Sequence, residues 1–202
     1  MPTLTELLQR NRRWAAEMVG LDPGFFQRHA NGQEPKYLWI GCSDSRVAGS
    51  EILDLEPGEL FVHRNIANQV IQTDPNLQAV IQYAVEVLKV SHIMVAGHYG
   101  CGGVEAACGS STHRAVDHWL ENIRGICQKH RPELERLPEP ERHNRLCELN
   151  VLEQVETLRR ISSIRNAWET GRRLEIHAWI YRLADGHLLP LRDVITGPED
   201  HE

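Results

Sequence analysis

The stretch Tyr37-Leu38-Trp39-Ile40-Gly41-Cys42-Ser43-Asp44-Ser45-Arg46 decides how the rest of the 202-residue chain is read. Its first four residues are apolar and β-prone, with the length of a buried strand, and Gly41 is expected to let the backbone turn as it leaves the sheet. Cys42 then stands at a strand's carboxyl end, beside the crevice where open α/β sheets bind ligands. Cys42, Asp44 and Arg46 are spaced two apart, so on an extended segment a thiol, a carboxylate and a guanidinium share one side. That suits an active site once partner groups arrive from elsewhere in the chain.

Working outward, Leu60-Phe61-Val62-His63 reads as a second strand with Arg64-Asn65 just past its end, and His92-Ile93-Met94-Val95-Ala96 as a third. Between them, from Asn76, the residues Leu77, Val80, Ile81, Ala84, Val85 and Leu88 recur at helical spacing. Strand, helix and strand predict a parallel crossover. Before the first strand, residues 3–19 read as a helix with Thr3 and Glu6 at capping-box spacing, and 20–36 as irregular chain around Asp22-Pro23-Gly24 and Asn31-Gly32. A short helical piece at 50–55 ends at Pro57-Gly58. Helices are expected over 113–130 and from about 140 to 168, separated by a Pro- and Glu-rich break. Residues 174–183 and 188–191 form an expected hairpin across Asp185-Gly186. The expectation is an α/β fold: a mostly parallel central sheet, flanking helices and a C-terminal antiparallel hairpin. It occupies one domain over 1–202, with helix 3–19 as a subunit-packing arm.

Composition narrows the function. A hydrophobic fraction of 41% and a charged fraction of 25% are ordinary for a globular protein, and no apolar run is long enough to span a membrane. The N-terminus lacks the order of a secretory signal, and five cysteines are too few for a disulfide scaffold, so a cytoplasmic location is expected. A net charge of −6 argues against nucleic acid as a partner.

His98-x-x-Cys101 lies in the glycine-rich run Gly97–Gly103 after the third strand, while Cys42 follows the first, so parallel strands can bring the three together. Thiolate and imidazole are zinc ligands, and three protein ligands with one open position is the catalytic pattern. Asp44 is the local candidate for that last position. The run lacks the Gly-Lys-Ser/Thr order of a phosphate loop. His63, His92 and His177 lie on or beside strands and read as satisfied structural groups. Cys108, Cys127 and Cys147 have no metal partner at useful spacing.

Cys42-Ser43-Asp44-Ser45-Arg46, His63-Arg64-Asn65, Gly97-His98-Tyr99-Gly100-Cys101-Gly102-Gly103, Cys147-Glu148-Leu149-Asn150-Val151 and His177-Ala178-Trp179-Ile180-Tyr181 together resemble the signature of the β-class carbonic anhydrases, over nearly the whole chain. The resemblance implies one Zn²⁺ per subunit, reversible hydration of CO₂ to bicarbonate and a proton by a zinc-bound hydroxide, and a homodimer or homotetramer. Two thiolates offset the ion's charge and should acidify its water less, so activity is expected to rise toward alkaline pH. In this family Asp44 and Arg46 form a gate, open with Asp44 on Arg46 and shut with Asp44 on zinc. CO₂ is small and apolar; by resemblance Gln33 and the Gly102 N–H supply donors and Phe61 and Tyr83 the walls.

Trp39, Gly41, Arg64 and Tyr181 resemble the regulatory bicarbonate pocket of the type II subgroup, in which the bound anion favours the shut state. The sequence departs from that subgroup after Val47, where Ala48-Gly49-Ser50 replaces a proline and a nearby acid and should loosen the loop. Two other functions fit the same residues: a hydrolase for CS₂ or COS, and a zinc-binding assembly protein without turnover.

Overall fold

In a computed structural model, which describes residues 1–109 and 113–198, the decisive stretch forms strand β1 (Tyr37–Cys42), buried at every position after Tyr37. Leu38 and Ile40 point into one apolar layer and Trp39 into another, as period-two alternation requires. Gly41 does not turn the chain: it remains in the ladder, paired with Ala96. A Cβ there would lie 2.1 Å from Trp39 Nε1, so glycine is needed to seat the indole.

The chain forms two compact units, Met1–Glu34 and Pro35–Glu202. The first carries α1 (Leu4–Leu21) and α2 (Phe25–Ala30). Thr3 and Glu6 make the expected capping box, and no residue of α1 is buried. α2 falls where irregular chain was expected. Its six residues are too few to show a period; Asp22 introduces it by accepting the Gly24 N–H at 3.0 Å. Trp14, Phe25 and Phe26 pack edge to face, with centroids 5.1 to 6.5 Å apart.

In the second unit follow α3 (Gly49–Ile52), β2 (Leu60–Asn65), α4 (Pro75–Gln82), β3 (His92–His98), α5 (Gly102–Cys108), α6 (Arg114–Trp119), α7 (Glu121–Lys129), α8 (Arg131–Leu134), α9 (Glu141–Leu158), α10 (Ser162–Glu169), β4 (Glu175–Arg182) and β5 (His187–Pro190). The sheet order is β2-β1-β3-β4-β5; every neighbouring pair is parallel except β4 and β5. This is the expected α/β architecture with its C-terminal hairpin, turned at Gly186 with φ 73°.

Several boundaries differ from expectation for identifiable reasons. β2 extends through Arg64 and Asn65 because they pair with Gly41 and Cys42. β3 extends to His98, which pairs with Tyr181 instead of lying in the turn beyond. α4 starts at Pro75 behind an Asp74 cap and closes in a π-helical turn over Tyr83–Val87. The stretch 113–130 breaks at Leu120, and 140–168 breaks between α9 and α10. The expected break after residue 130 contains the turn α8, with its proline in the first turn, where a missing N–H is harmless. Ala48-Gly49-Ser50, read as a loosened loop, starts α3; a Cβ on Gly49 would come within 2.8 Å of the Trp39 ring.

The connection from β1 leads to β2 on one side, and the chain returns to place β3 on the other. The crevice between β1 and β3 is therefore a topological switch point, the usual ligand position in such sheets.

Candidate metal centre

Cys42 ends β1, His98 ends β3, and Cys101 caps the start of α5. All three are buried, and their donor atoms lie within 4.8 Å of one another; the two sulfurs are 3.9 Å apart. His98 Nδ1 lies 3.0 Å from the carbonyl oxygen of Tyr99, which fixes the proton on that nitrogen. His98 Nε2 is then a lone pair, wholly buried and with no hydrogen-bond partner. A buried polar atom in that state calls for a ligand. With two thiols beside it, the donor set fits zinc or another thiophilic cation.

The electrostatics fit as well. Cys42 is drawn down, chiefly by the hydrogen bond from the Cys101 thiol; burial opposes this, and the N–H groups of Asp44 and Ala67 assist. Cys101 is pushed up by the same shared proton and by burial. Both sulfurs bind a cation as thiolates, so loading the site releases protons.

Asp44 faces both ways. Arg46 holds it in a fork, Nε donating to Oδ1 at 2.9 Å and Nη2 to Oδ2 at 2.7 Å, and the Arg46 backbone N–H also donates to Oδ1 at 2.9 Å. Arg46 keeps this carboxyl well below the usual carboxylate range. The same Oδ2 is 3.8 Å from His98 Nε2. Arg64 ties the segment down: its Nε donates to the Cys42 carbonyl at 2.8 Å and its Nη2 to that of Asp44.

The other sequence-derived residues divide into groups. Phe61 and Tyr83 come together, ring centroids 5.8 Å apart. Gly102 opens α5, and its N–H, in the helix's first turn, lacks an intrahelical acceptor. Gln33 is exposed in the N-terminal unit. Trp39 and Gly41 lie on β1, Arg64 on the neighbouring β2, and Tyr181 on β4, one strand beyond β3; Gly41 pairs with both Arg64 and Ala96, and Trp39 and Tyr181 share one apolar layer. Trp39 Nε1 is fully buried and has no acceptor.

Asn65 and Asn150 fall within the quoted family motifs, but the turn they support, together with Gln154 and His143, had no recognisable sequence signal. The turn Ile66–Asn68 after β2 carries Ala67 at φ 63° and Asn68 at φ 45°, left-handed values unusual for residues with a side chain. This turn aims the Ala67 N–H at the Cys42 sulfur. Asn65 clamps it, accepting from Gln69 N at 2.7 Å and donating to Gln69 O at 2.8 Å. From α9, Asn150 donates to the Ala67 carbonyl at 3.0 Å, Gln154 donates to Asn150 at 2.9 Å, and Gln154 Oε1 accepts the Val70 N–H at 2.6 Å. His143 Nε2 lies 3.2 Å from the Cys101 carbonyl. The sulfurs of Cys108 and Cys127 lie 3.4 Å apart.

Residues 37–188 match the family model described as "Carbonic anhydrase". A carbonic anhydrase of Emericella nidulans is 45% identical over 190 residues, covering 94% of this chain and 83% of that protein. The chain belongs to the β-carbonic anhydrases. Solved members of the family superpose closely: a Coccomyxa β-carbonic anhydrase in complex with acetazolamide has a TM-score of 0.93 at 35% identity, covering 98% of this chain and 90% of its own. A β-carbonic anhydrase of Sordaria macrospora, described as tetrameric, has a TM-score of 0.90 at 39% identity, covering 95% of this chain and 98% of its own. The family is zinc-dependent, and Cys42, His98 and Cys101 are a donor set able to hold the ion. Among the described residues no helix is long and apolar enough to cross a membrane.

Proposed function

We propose that Cys42, His98 and Cys101 hold one zinc ion at which CO₂ is reversibly hydrated to bicarbonate and a proton. The observation that carries this is the unpartnered, buried His98 Nε2 facing two thiols. Zinc in such a site supplies a Lewis acid that makes water nucleophilic near neutral pH. Asp44, kept ionised by Arg46, accepts a hydrogen bond from the attacking water and orients it. Phe61 and Tyr83 form an apolar wall for CO₂, and the Gly102 N–H donates to one of its oxygens.

Asp44 also acts as the gate. Its Oδ2 sits between Arg46 and the donor cluster, so a small rotation exchanges one partner for the other. Bicarbonate binds at Trp39, Gly41, Arg64 and Tyr181, as in the type II subgroup, and takes up the orphaned Trp39 N–H. The anion competes for Arg64, which otherwise holds the carbonyls of Cys42 and Asp44, and so releases the segment that keeps Asp44 on Arg46. The uncovered apolar positions of α1, among them Leu4, Leu7 and Leu8, suit an arm that packs on a second copy.

Stopped-flow CO₂ hydration with metal analysis and a bicarbonate titration tests this. One zinc per chain, activity abolished in Cys101→Ser, and inhibition by bicarbonate are expected. Full activity in zinc-free protein would overturn the reading.

A further inference from the structure

At the opposite end of β3 from His98 lies a second convergence of donors. His92 and Glu175 are register partners at the starts of β3 and β4, and His177 is two residues further along β4, so the three share one sheet face. His92 Nδ1 is 3.2 Å from His177 Nε2 and 3.1 Å from Glu175 Oε2, and His177 Nε2 is 3.7 Å from the same oxygen. Zinc bonds of about 2.0–2.2 Å at tetrahedral angles hold ligand atoms roughly 3.3–3.5 Å apart. The triangle already has that size.

The surroundings keep it in shape. Arg173 donates to Glu175 Oε1 from Nε at 2.8 Å and Nη2 at 2.7 Å, leaving Oε2 directed at the two imidazoles. Such an outer partner orients a ligating carboxylate. Arg173 is itself 80% exposed, so its charge is screened by water and repels a cation weakly. The Tyr37 ring lies 5.5 Å from His92 and the Trp179 ring 5.4 Å from His177, which limits rotation of both imidazoles. The three ligand side chains are 14% to 26% exposed, so the site can be reached and keeps positions open to solvent.

We propose that His92, Glu175 and His177 form a second metal site that takes one divalent first-row cation of the imidazole-binding class. Two imidazoles and one carboxylate suit zinc, cobalt or iron, whereas the centre at Cys42, His98 and Cys101 is built on sulfur. His92 and His98 are the two ends of the seven-residue β3, about 20 Å apart at strand rise, so the two ions do not share ligands. The site is independent of the reaction at the first centre and leaves it running.

The test uses the zinc-loaded enzyme, dialysed against micromolar Co²⁺ and analysed for metal and absorption. Wild type is expected to take up one Co²⁺ per chain beyond its zinc, with the weak visible bands of nitrogen and oxygen ligation and no thiolate charge-transfer band. His177→Gln and Glu175→Gln should each weaken that uptake more than 10-fold while CO₂ hydration stays within about twofold of wild type. If one variant fails to fold, the other decides. No cobalt beyond the resident zinc, cobalt uptake with a thiolate band, or undiminished uptake in a folded variant would each overturn the proposal.

Discussion

Replacing Asn150 with alanine tests whether a buried side chain on α9 governs the metal centre. Asn150 is fully buried and bridges the Ala67 carbonyl to Gln154, which is 1% exposed. Its removal leaves that carbonyl and the Gln154 Nε2 group without partners. Each unpaired buried group costs about 1–3 kcal/mol, so unfolding free energy should fall by about 4 kcal/mol. That is a large part of the roughly 5–15 kcal/mol that holds an ordinary domain together. Ala67 sits at φ 63°, a conformation worth roughly 1 kcal/mol of strain, and without Asn150 the turn is free to relax. The Ala67 N–H then leaves the Cys42 sulfur, and loss of such an outer contact weakens metal binding about 10–100-fold. Urea unfolding and zinc competition against a chromophoric chelator measure the two effects. A stability loss under about 1 kcal/mol would refute the unpaired-group account, and zinc affinity within about threefold of wild type would refute the link to Cys42.

Asp44→Asn should keep its zinc and lose most turnover; metal analysis beside stopped-flow hydration reads both, and unchanged turnover would remove the role given to this carboxylate. Trp39→Phe deletes a buried N–H that has no acceptor, so stability should change by no more than about 1–2 kcal/mol while bicarbonate inhibition disappears in a titration of the hydration rate. Gly41→Ala drives a methyl into the Trp39 indole and should destabilise by about 1–3 kcal/mol in thermal or urea unfolding. Burial lowers the His63 pKa, with Asp74 pulling weakly the other way, so the unfolded chain binds a proton that the native one refuses. Stability should therefore fall as pH drops below about 6.5, and His63→Gln should flatten part of that slope in unfolding curves taken from pH 5 to 8.

The strands were legible because β1 and β3 are buried on both faces and leave continuous apolar runs. Cys42, His98 and Cys101 were legible because sulfur and imidazole at strand ends form a recognisable set. Gly41 was seen and misread, since its reason is contact with a side chain two residues away, which no local turn rule contains. Ala67 gave no signal at all: alanine seldom adopts left-handed backbone, and only the clamp from Asn65 and α9 holds it there. His92 and His177 read as satisfied structural groups, and each has a partner; that they meet one another was not legible, because they lie 85 positions apart and the β3–β4 register that joins them is a tertiary fact.

The divergent winding of the sheet has a consequence for how such an enzyme can change. Cys42 and His98 are anchored by ladders of neighbouring strands, so their spacing is inherited with the backbone instead of being assembled by loops. Exchanges away from these strand ends and from Cys101 can then remodel what surrounds the crevice while that spacing stays as it was.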